Sequence, residues 1–197
     1  NSAPYSPEVL SLKGPADKGN PDSCYKLGCL LMDNPQSRIV ELQNAAVYLR
    51  TAARAGIIDA QYRCGIILDR GLGYPSNPQK AVYFFKQAAD GGHPDALYML
   101  GMCLMTGRGV PMKDPESANN YFRAAADMGH QQSQLNLAYN YDNNIGVSDK
   151  NAESNQKIAI HYYKLAAAQN NATALCNLGF MAQEGRGIPV NKEEAEK

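Results

Sequence analysis

Residues 93–129 read HPDALYMLGMCLMTGRGVPMKDPESANNYFRAAADMG, and this stretch decides the fold because its pattern recurs along the chain. Small residues equivalent to Gly101 occur at intervals of 37, 36, 37 and 41 residues, within the pairs Leu27-Gly28, Cys64-Gly65, Leu100-Gly101, Leu137-Ala138 and Leu178-Gly179. A second column precedes these residues by nine positions: Gly19, Gly56, Gly92, Gly129 and Asn170. A third column contains only alanine: Ala52, Ala88, Ala125 and Ala166. A period of this size is typical of solenoids, in which one supersecondary unit stacks on copies of itself.

The first half of each repeat predicts an amphipathic helix, called helix A, which in the third repeat runs to about Met105. Pro94 and Asp95 suit its start, because an N-terminal proline loses no helical hydrogen bond and a carboxylate meets the positive end of the helix dipole. Apolar residues then follow at spacings of four: Ala96, Leu100 and Leu104. A glycine inside a helix costs about 1 kcal/mol relative to alanine. The recurring glycine therefore predicts a neighbouring helix that crosses too closely for a side chain.

A glycine-rich turn and a second helix, called helix B, complete the repeat. The turn at Gly107–Pro111 has counterparts at Gly71–Pro75 and Gly185–Pro189, where glycine supplies a left-handed cap and proline prevents continuation. Helix B is predicted from about Asn77 to Asp90 in the second repeat. Its columns are a small residue followed by a pair of large ones: Ala45, Ala81, Ala118 and Ala159, then Tyr48-Leu49, Phe84-Phe85, Tyr121-Phe122 and Tyr162-Tyr163. The fold class predicted is an all-α, right-handed α/α solenoid of four helical hairpins and part of a fifth.

The repeats are expected at about residues 20–56, 57–92, 93–129 and 130–170, with an incomplete copy at 171–197. Residues 1–19 form a degenerate segment in the frame of a preceding helix B, which Gly14-Pro15 is expected to break. The fourth repeat carries an insertion within the polar stretch 142–156, which we expect to be mobile. Ala195 aligns with Ala81, which predicts that the sequence ends inside a helix of a longer protein.

Composition excludes several classes of function. The 19 basic and 19 acidic residues give a net charge of zero, and no basic run is present to bind the phosphates of a nucleic acid. No apolar run approaches the ~20 residues that a membrane helix needs. The cysteines are five in number and occupy irregular positions of the repeat: Cys24, Cys29, Cys64, Cys103 and Cys176. They predict free thiols in a reducing compartment, the cytoplasm.

The repeated pattern resembles that of the Sel-one-like repeat family, relatives of tetratricopeptide repeats with a longer turn between the helices. The resemblance rests on Ala96–Gly101, Gly107–Pro111 and Tyr121–Ala126 and covers roughly residues 20–197. The first repeat departs from it because Met32–Ser37 lacks the two turn glycines, and the fourth because Ala138 replaces glycine. Membership implies an adaptor or scaffold, as in a ubiquitin-ligase adaptor, synthase activators and bacterial host-interaction factors.

No residue pattern predicts catalysis, a metal or a cofactor. His93 and His130 occupy the same frame at helix starts, where a capping role is favoured over a catalytic one. The column of Asp22, Asp59 and Asp95 is interpreted as helix N-terminal charge placement rather than as a strip for a cation. The sequence therefore predicts a protein that is not an enzyme.

The outward arc of helix A carries apolar and aromatic residues where polar ones are expected. In helical-hairpin solenoids the A helices usually line the concave side, so such residues would form a groove for a protein or peptide. The predicted partner-binding set is Tyr62, Arg63, Ile66, Tyr98, Met99, Met102, Asn136 and Tyr139. Arg63 would favour a carboxylate of the ligand. The alternative is that these side chains pack between successive A helices, and the sequence does not decide between the two.

The function predicted from these observations is a non-catalytic protein–protein interaction scaffold within a longer protein. One alternative is a regulatory module of an enzyme, such as a synthase activator, a ubiquitin-ligase adaptor or an array fused to a kinase domain. RNA binding by a helical-repeat array is disfavoured by the neutral charge.

Overall fold

The computed structural model describes residues 5–149 and 151–187, and within them all regular secondary structure is α-helical. Ten helices follow one another along this part of the chain: α1 (Pro7–Asp17), α2 (Pro21–Asp33), α3 (Ile39–Arg54), α4 (Ile58–Arg70), α5 (Pro78–Asp90), α6 (Pro94–Thr106), α7 (Pro115–Asp127), α8 (Gln131–Asp142), α9 (Ala152–Ala168) and α10 (Ala172–Gln183). The helices α2, α4, α6, α8 and α10 are the predicted A helices, and α3, α5, α7 and α9 are the predicted B helices.

The chain divides into two compact units. Unit 1 comprises Asn1–Ala96 and Arg108–Pro111, and unit 2 comprises Leu97–Gly107 and Met112–Lys197. In unit 1, α2 packs against α3 and α4 against α5, and α4 also contacts α3 of the preceding repeat. In unit 2, α8 packs in the same way against α9 and α7. The predicted class, an all-α solenoid of helical hairpins, is confirmed.

The glycine of helix A marks a close crossing with helix B of the same hairpin. A Cβ built on Gly65 would lie 2.4 Å from the ring of Phe85, and one on Gly101 would lie 2.5 Å from the ring of Phe122. On Gly28 it would lie 2.6 Å from Leu49. The prediction that a neighbouring helix leaves no room for a side chain is therefore confirmed in the first three repeats.

The predicted columns of helix B form the cores of the units. Both alanine columns are completely buried: Ala45, Ala52, Ala81, Ala88, Ala118, Ala125, Ala159 and Ala166. The second member of each large pair is buried as well: Leu49, Phe85, Phe122 and Tyr163. Small residues one turn to either side of a ring let helices approach until the ring fills the gap between them.

The turn from helix B to the next helix A contains the second repeated column, which is Gly19, Gly56, Gly92, Gly129 and Asn170. Gly129 has a φ of +86° and Asn170 has a φ of +63°. Asparagine is one of the few other residues that occupies the left-handed region readily, which explains its substitution for glycine in the last repeat. At the other end of the hairpin, Gly71 closes α4 with a φ of +72°, as the predicted left-handed cap requires.

Helix α1 differs from the sequence prediction. It continues through Gly14 and Pro15 to Asp17, whereas a break was expected at these two residues. Pro15 lies in the last turn, so it removes one backbone hydrogen bond near the helix end. Ala16 is buried, and its carbonyl oxygen accepts a hydrogen bond from the Cys24 thiol of α2 at 3.3 Å. Packing on α2 thus holds this helix despite its unfavourable sequence.

Part of the insertion of the fourth repeat packs on α7, and the mobility expected of the stretch remains a prediction. Its Val147 is buried, and Asn119 of α7 donates hydrogen bonds to the carbonyl oxygens of Ile145 and Gly146 at 2.8 and 2.9 Å. Buried backbone acceptors need such donors, and the asparagine supplies them from a neighbouring helix.

Candidate functional site: the outward face of the A helices

The histidines at the helix starts are caps. His130 Nδ1 accepts a hydrogen bond from the amide of Ser133 at 3.1 Å, and His93 Nδ1 accepts one from the amide of Ala96 at 3.3 Å. Each satisfies an amide that the first turn of a helix leaves without a partner. The predicted capping role is confirmed for both residues.

In unit 1, the predicted site residue Tyr62 packs between repeats. Its ring stacks on His93 with a centroid distance of 4.5 Å and an interplanar angle of 22°, and it lies 6.1 Å from the ring of Phe85. Burial, followed by the charge of Asp95, raises the pKa of the Tyr62 hydroxyl. Half of this side chain is therefore committed to packing within the unit.

Arg63 already has two carboxylate partners. Its Nε donates to Asp59 at 2.8 Å, and its Nη1 donates to both oxygens of Asp33 at 2.9 Å. Asp33 lies on α2, one repeat earlier, so the guanidinium joins successive A helices. The ligand carboxylate expected at Arg63 remains a prediction, and such a ligand would have to compete with these ion pairs.

Asp59 is the centre of this polar network. Besides Arg63, it accepts hydrogen bonds from the hydroxyl of Tyr25 at 2.7 Å and lies 3.2 Å from His93 Nε2. Burial alone would raise the pKa of Asp59, but the hydrogen bonds from Tyr25, Arg63 and His93 outweigh it and lower the pKa. The hydrogen bond to Asp59 is also the main cause of the raised pKa of Tyr25. The Asp column thus stands in the first turns of the A helices, as predicted, and at Asp59 it also joins repeats.

Ile66 is not a surface residue. Its side chain is 5% exposed, so it belongs to the core of unit 1 rather than to a partner site. Helical periodicity places Ile66 on the outward arc, but this arc is covered at that position in the folded chain.

In unit 2, the predicted residues divide between packing and surface. Tyr98 packs on Phe122 at 5.9 Å and on His130 at 5.0 Å, and burial raises the pKa of its hydroxyl although a hydrogen bond with Asn136 lowers it. Asn136 donates to the sulfur of Met102 at 3.4 Å. Contacts of this kind between successive A helices are the alternative that the sequence left open.

Several side chains of unit 2 remain accessible on this face. Tyr139 is 51% exposed, and Met99 and Met102 are partly exposed. Phe180 continues the column of Met102 and Tyr139 in α10 and is exposed too. The outward face of unit 2 therefore offers an aromatic ring and two flexible thioethers, whereas that of unit 1 is largely used for internal contacts.

Sequence reasoning missed a cleft on the other side of unit 1, between the B helices α3 and α5. Its rim carries Arg50 and Lys80, neither of which has an acidic residue three or four positions away. Cations without an acidic neighbour on a helix are a signal that could have indicated this place.

Within residues 5–149 and 151–187, no group of three or more His, Cys, Asp or Glu side chains could hold a metal ion. All five cysteines lie in this part of the chain, and none forms a disulfide. No helix in the described residues is both long and apolar enough to cross a bilayer.

Similarity to known proteins agrees with this architecture. The family model for the Sel1 repeat matches five times, at residues 21–57, 58–93, 94–130, 131–171 and 172–197. These bounds lie within one residue of the repeats expected from the sequence. The curated proteins include no match to this chain.

Two solved structures are similar in both sequence and fold. One is c5321 of uropathogenic Escherichia coli, described as a protective antigen with an SLR fold, with 28% identity and a TM-score of 0.81 over 93% of this chain. The chain spans 38% of the length of that protein. The other is a Sel1 repeat protein from Oxalobacter formigenes, with 26% identity and a TM-score of 0.78 over 97% of this chain and 76% of that one.

A third structure shows the fold alone: a Sel1 repeat protein from Klebsiella pneumoniae has 19% identity and a TM-score of 0.54, covering 95% of this chain and 88% of that one. Proteins of this family are generally non-catalytic scaffolds for protein interactions. With five repeat matches spanning residues 21–197, the chain belongs to the Sel1 repeat family.

Proposed function

We propose that the chain is a non-catalytic scaffold that binds a segment of a partner protein through the outward face of its A helices in unit 2. The observation that carries the proposal is the exposure of Tyr139 on the same outward arc of the A helices as Met99 and Met102, which are partly exposed although Met102 also packs against the core of unit 2. Aromatic and methionine side chains are enriched at the centres of protein interfaces.

The chemistry of this face favours an apolar anchor from the partner. Methionine is flexible and polarizable, so it adapts to ligand side chains of different shape. Tyr139 combines a large apolar surface with a hydroxyl, and residues of this type often contribute about 2 kcal/mol or more to binding. Asn136 can offer polar contacts at the edge of the same face.

The residues of unit 1 have a smaller part in this proposal. Tyr62 and Arg63 are half-buried and hold successive repeats together, so their replacement would disturb folding as well as binding. Ile66 is excluded from the surface by its burial.

The experiment compares proteins retained from lysates of the source cells by the wild type and by Met102→Asp and Tyr139→Asp variants, identified by mass spectrometry. We expect partners that the wild type retains to be lost with both variants. Met128→Asp is the matched control, because Met128 is as exposed as Tyr139 but lies after α7, outside this face. Thermal melting must show that all variants are folded. Identical partners for all four proteins, or none for the wild type, would contradict the proposal.

We further propose that the protein works in a reducing compartment, the cytoplasm. The five cysteines support this proposal because they occupy irregular positions of the repeat and form no disulfide. Thiol titration of freshly unfolded protein should find all five thiols free, and a result of one or none would overturn it.

A further inference from the structure

A cleft of about 420 Å³ opens in unit 1 on the helix-B side of the repeats. Helix α3 forms one wall with Val47, α5 forms the other with Phe84, and Ile67 of α4 lies at the floor. Tyr74, in the turn before α5, closes one end. Val47 and Tyr74 are both 44% exposed, so the cleft presents apolar surface to its surroundings. Apolar concavities of this size suit a side chain of a ligand.

Two cations stand at this apolar cleft. Arg50 comes from α3 and Lys80 from α5, and both side chains are exposed. Within the described residues neither makes an ion pair, whereas Arg38, Arg63 and Arg108 of the same unit all pair with carboxylates. No acidic residue lines the cleft. Its positive charge is therefore not neutralised by the residues around it.

We propose that the cleft binds a partner peptide in which Asp or Glu carboxylates flank an aliphatic or aromatic side chain. The apolar side chain enters between Val47, Tyr74 and Phe84, and the carboxylates pair with Arg50 and Lys80. Arginine can hold a carboxylate through two parallel hydrogen bonds, which fixes the orientation of the peptide. Both features of the cleft are thus matched by a single ligand.

This site is independent of the partner surface on the A helices. It shares no residue with the set proposed in unit 2, and its walls are B helices. A scaffold with both sites would bind two partners, and each site can fail its test without affecting the other.

The test is a selection of short random peptides displayed on phage against the immobilised wild-type protein. We expect the selected peptides to combine Asp or Glu with an adjacent aliphatic or aromatic residue. The affinity of a synthetic selected peptide is then measured by fluorescence anisotropy. Replacement of its Asp and Glu by Asn and Gln should weaken binding about tenfold or more, which corresponds to about 1.4 kcal/mol.

The matched protein variants are Arg50→Glu/Lys80→Glu and Lys86→Glu. Lys86 occupies the position of Arg50 one repeat later and lies outside the cleft, so Lys86→Glu repeats one of the two charge reversals away from the site. The double variant should lose about tenfold or more in affinity, and Lys86→Glu should change it less than about twofold. Circular dichroism reports whether each variant is folded. If the double variant is not folded, the proposal is tested with the wild-type protein alone, whose affinity should fall when the carboxylates of the peptide are replaced and when the salt concentration is raised.

Several outcomes would overturn the proposal. One is a selection that yields no binder, and another is a set of binders without carboxylates. A third is equal affinity for the folded double variant and the wild type. Stronger binding to phosphatidylserine vesicles than to any selected peptide would assign the cleft to a membrane surface instead.

Discussion

The cleft between α3 and α5 in unit 1 has a counterpart between α7 and α9 in unit 2, at the same positions of the repeat. Arg50 corresponds to Arg123, and Ile67 corresponds to Asn140. The space is about 420 Å³ in unit 1 and about 160 Å³ in unit 2. One repeat frame thus supports an open apolar cleft in one unit and a smaller polar one in the other.

The difference arises from the inserted loop of the fourth repeat. Asn140 donates a hydrogen bond to Asn119 Oδ1 at 2.7 Å, and Asn119 in turn donates to the loop carbonyls of Ile145 and Gly146. Arg123 is held at the ring of Tyr141, with a distance of 5.6 Å to the centroid, and also donates to its hydroxyl. In unit 2, Arg123, Asn119 and Asn140 all have partners in the same unit, whereas within the described residues Arg50 and Lys80 of unit 1 make no ion pair. This position in the repeat thus serves internal structure in unit 2 and, in our proposal, a ligand in unit 1.

The largest expected effect comes from the glycine with which each turn contacts the preceding helix B. Gly146→Ala should destabilise the protein by about 3 kcal/mol or more, since Gly146 has a φ of +59° and the new Cβ would lie 2.3 Å from the carbonyl oxygen of Pro115. Gly73→Ala should cost less, about 2 kcal/mol, because the nearest atom lies at 3.0 Å. Urea denaturation measures both free energies.

Gly14→Ala is the control for this pair. Gly14 is helical and has no neighbour within 4 Å of a built Cβ, so alanine should leave stability unchanged or raise it by up to about 1 kcal/mol. A Gly146→Ala protein within about 0.5 kcal/mol of the wild type would show that the turn does not press on α7.

The second prediction concerns the asparagine network of unit 2. Asn140→Ile should destabilise by about 2 kcal/mol, because it leaves the buried Asn119 Oδ1 without its donor. Asn119→Ala/Asn140→Ile introduces the residues of unit 1, Ala46 and Ile67, at the equivalent positions. This double change should cost less than the sum of the single changes by about 1 kcal/mol, since neither partner is left alone.

Asn120→Ala controls for the loss of an amide at the same cleft. Asn120 is exposed, so its replacement should change the free energy of unfolding by less than about 0.5 kcal/mol. Strict additivity in the double-mutant cycle would mean that Asn119 and Asn140 do not interact.

The third prediction uses Cys64, which lies at the floor of the cleft in unit 1 where unit 2 has Leu137. Burial raises the pKa of the Cys64 thiol to about 12, although the charge of Arg50 acts in the opposite direction. Only the thiolate reacts with a disulfide reagent, so at pH 8 Cys64 should react about a hundredfold more slowly than the exposed Cys176. Rates are measured with Ellman's reagent on wild type, Cys64→Ala and Cys176→Ala.

The raised pKa of the Cys64 thiol also predicts the direction in which stability changes with pH. The folded state binds the Cys64 proton more tightly than the unfolded state, so the stability that this proton contributes is present below the unfolded pKa and falls as the pH rises towards 12. Cys64→Ala should therefore lose less stability than the wild type between neutral and strongly alkaline pH. Equal losses, or equal reactivity of the two thiols, would show that Cys64 is accessible in the folded protein.

The smallest expected effect is the difference in stability between variants of Arg123 in unit 2 and of Arg50 in unit 1. Arg123→Gln should cost about 0.5–1 kcal/mol through the lost contact with Tyr141. Arg50→Gln should change stability by less than about 0.5 kcal/mol, because Arg50 makes no ion pair within the described residues. Paired urea titrations measure the difference, and an Arg50→Gln protein as destabilised as Arg123→Gln would indicate that Arg50 has a structural role.

The sequence predicted much of this architecture because its signals are local and repeat at fixed spacing. The small residue of helix A and the alanine columns each report a requirement that recurs from hairpin to hairpin, and the capping histidines recur in two of them. The exceptions lie where a distant contact outweighs a local preference. Helix α1 continues through Gly14 and Pro15 because Ala16 packs on Cys24, and this partner lies in another helix.

The partner surface could be predicted only in part. Helical periodicity distinguishes two faces of an isolated helix, but it does not say how many neighbours the helix has. Ile66 lies on the predicted outward arc and is buried, while Tyr139, at the equivalent position two repeats later, is exposed. The carboxylates that hold Arg63 illustrate the same limit, since Asp33 is 30 residues away and no spacing rule connects the two.

By itself, the sequence determined the repeat, the helices, the positions that must be small and the family to which the chain belongs, because these depend on side-chain volume and backbone conformation within one hairpin. Only the tertiary structure decided which outward residues are free and which cations have partners. The reason is that burial and ion pairing depend on the distance between side chains from different repeats. The cleft at Arg50 and Lys80 is the plainest case, because its two cations are 30 residues apart in the chain and meet only when α3 and α5 pack on α4.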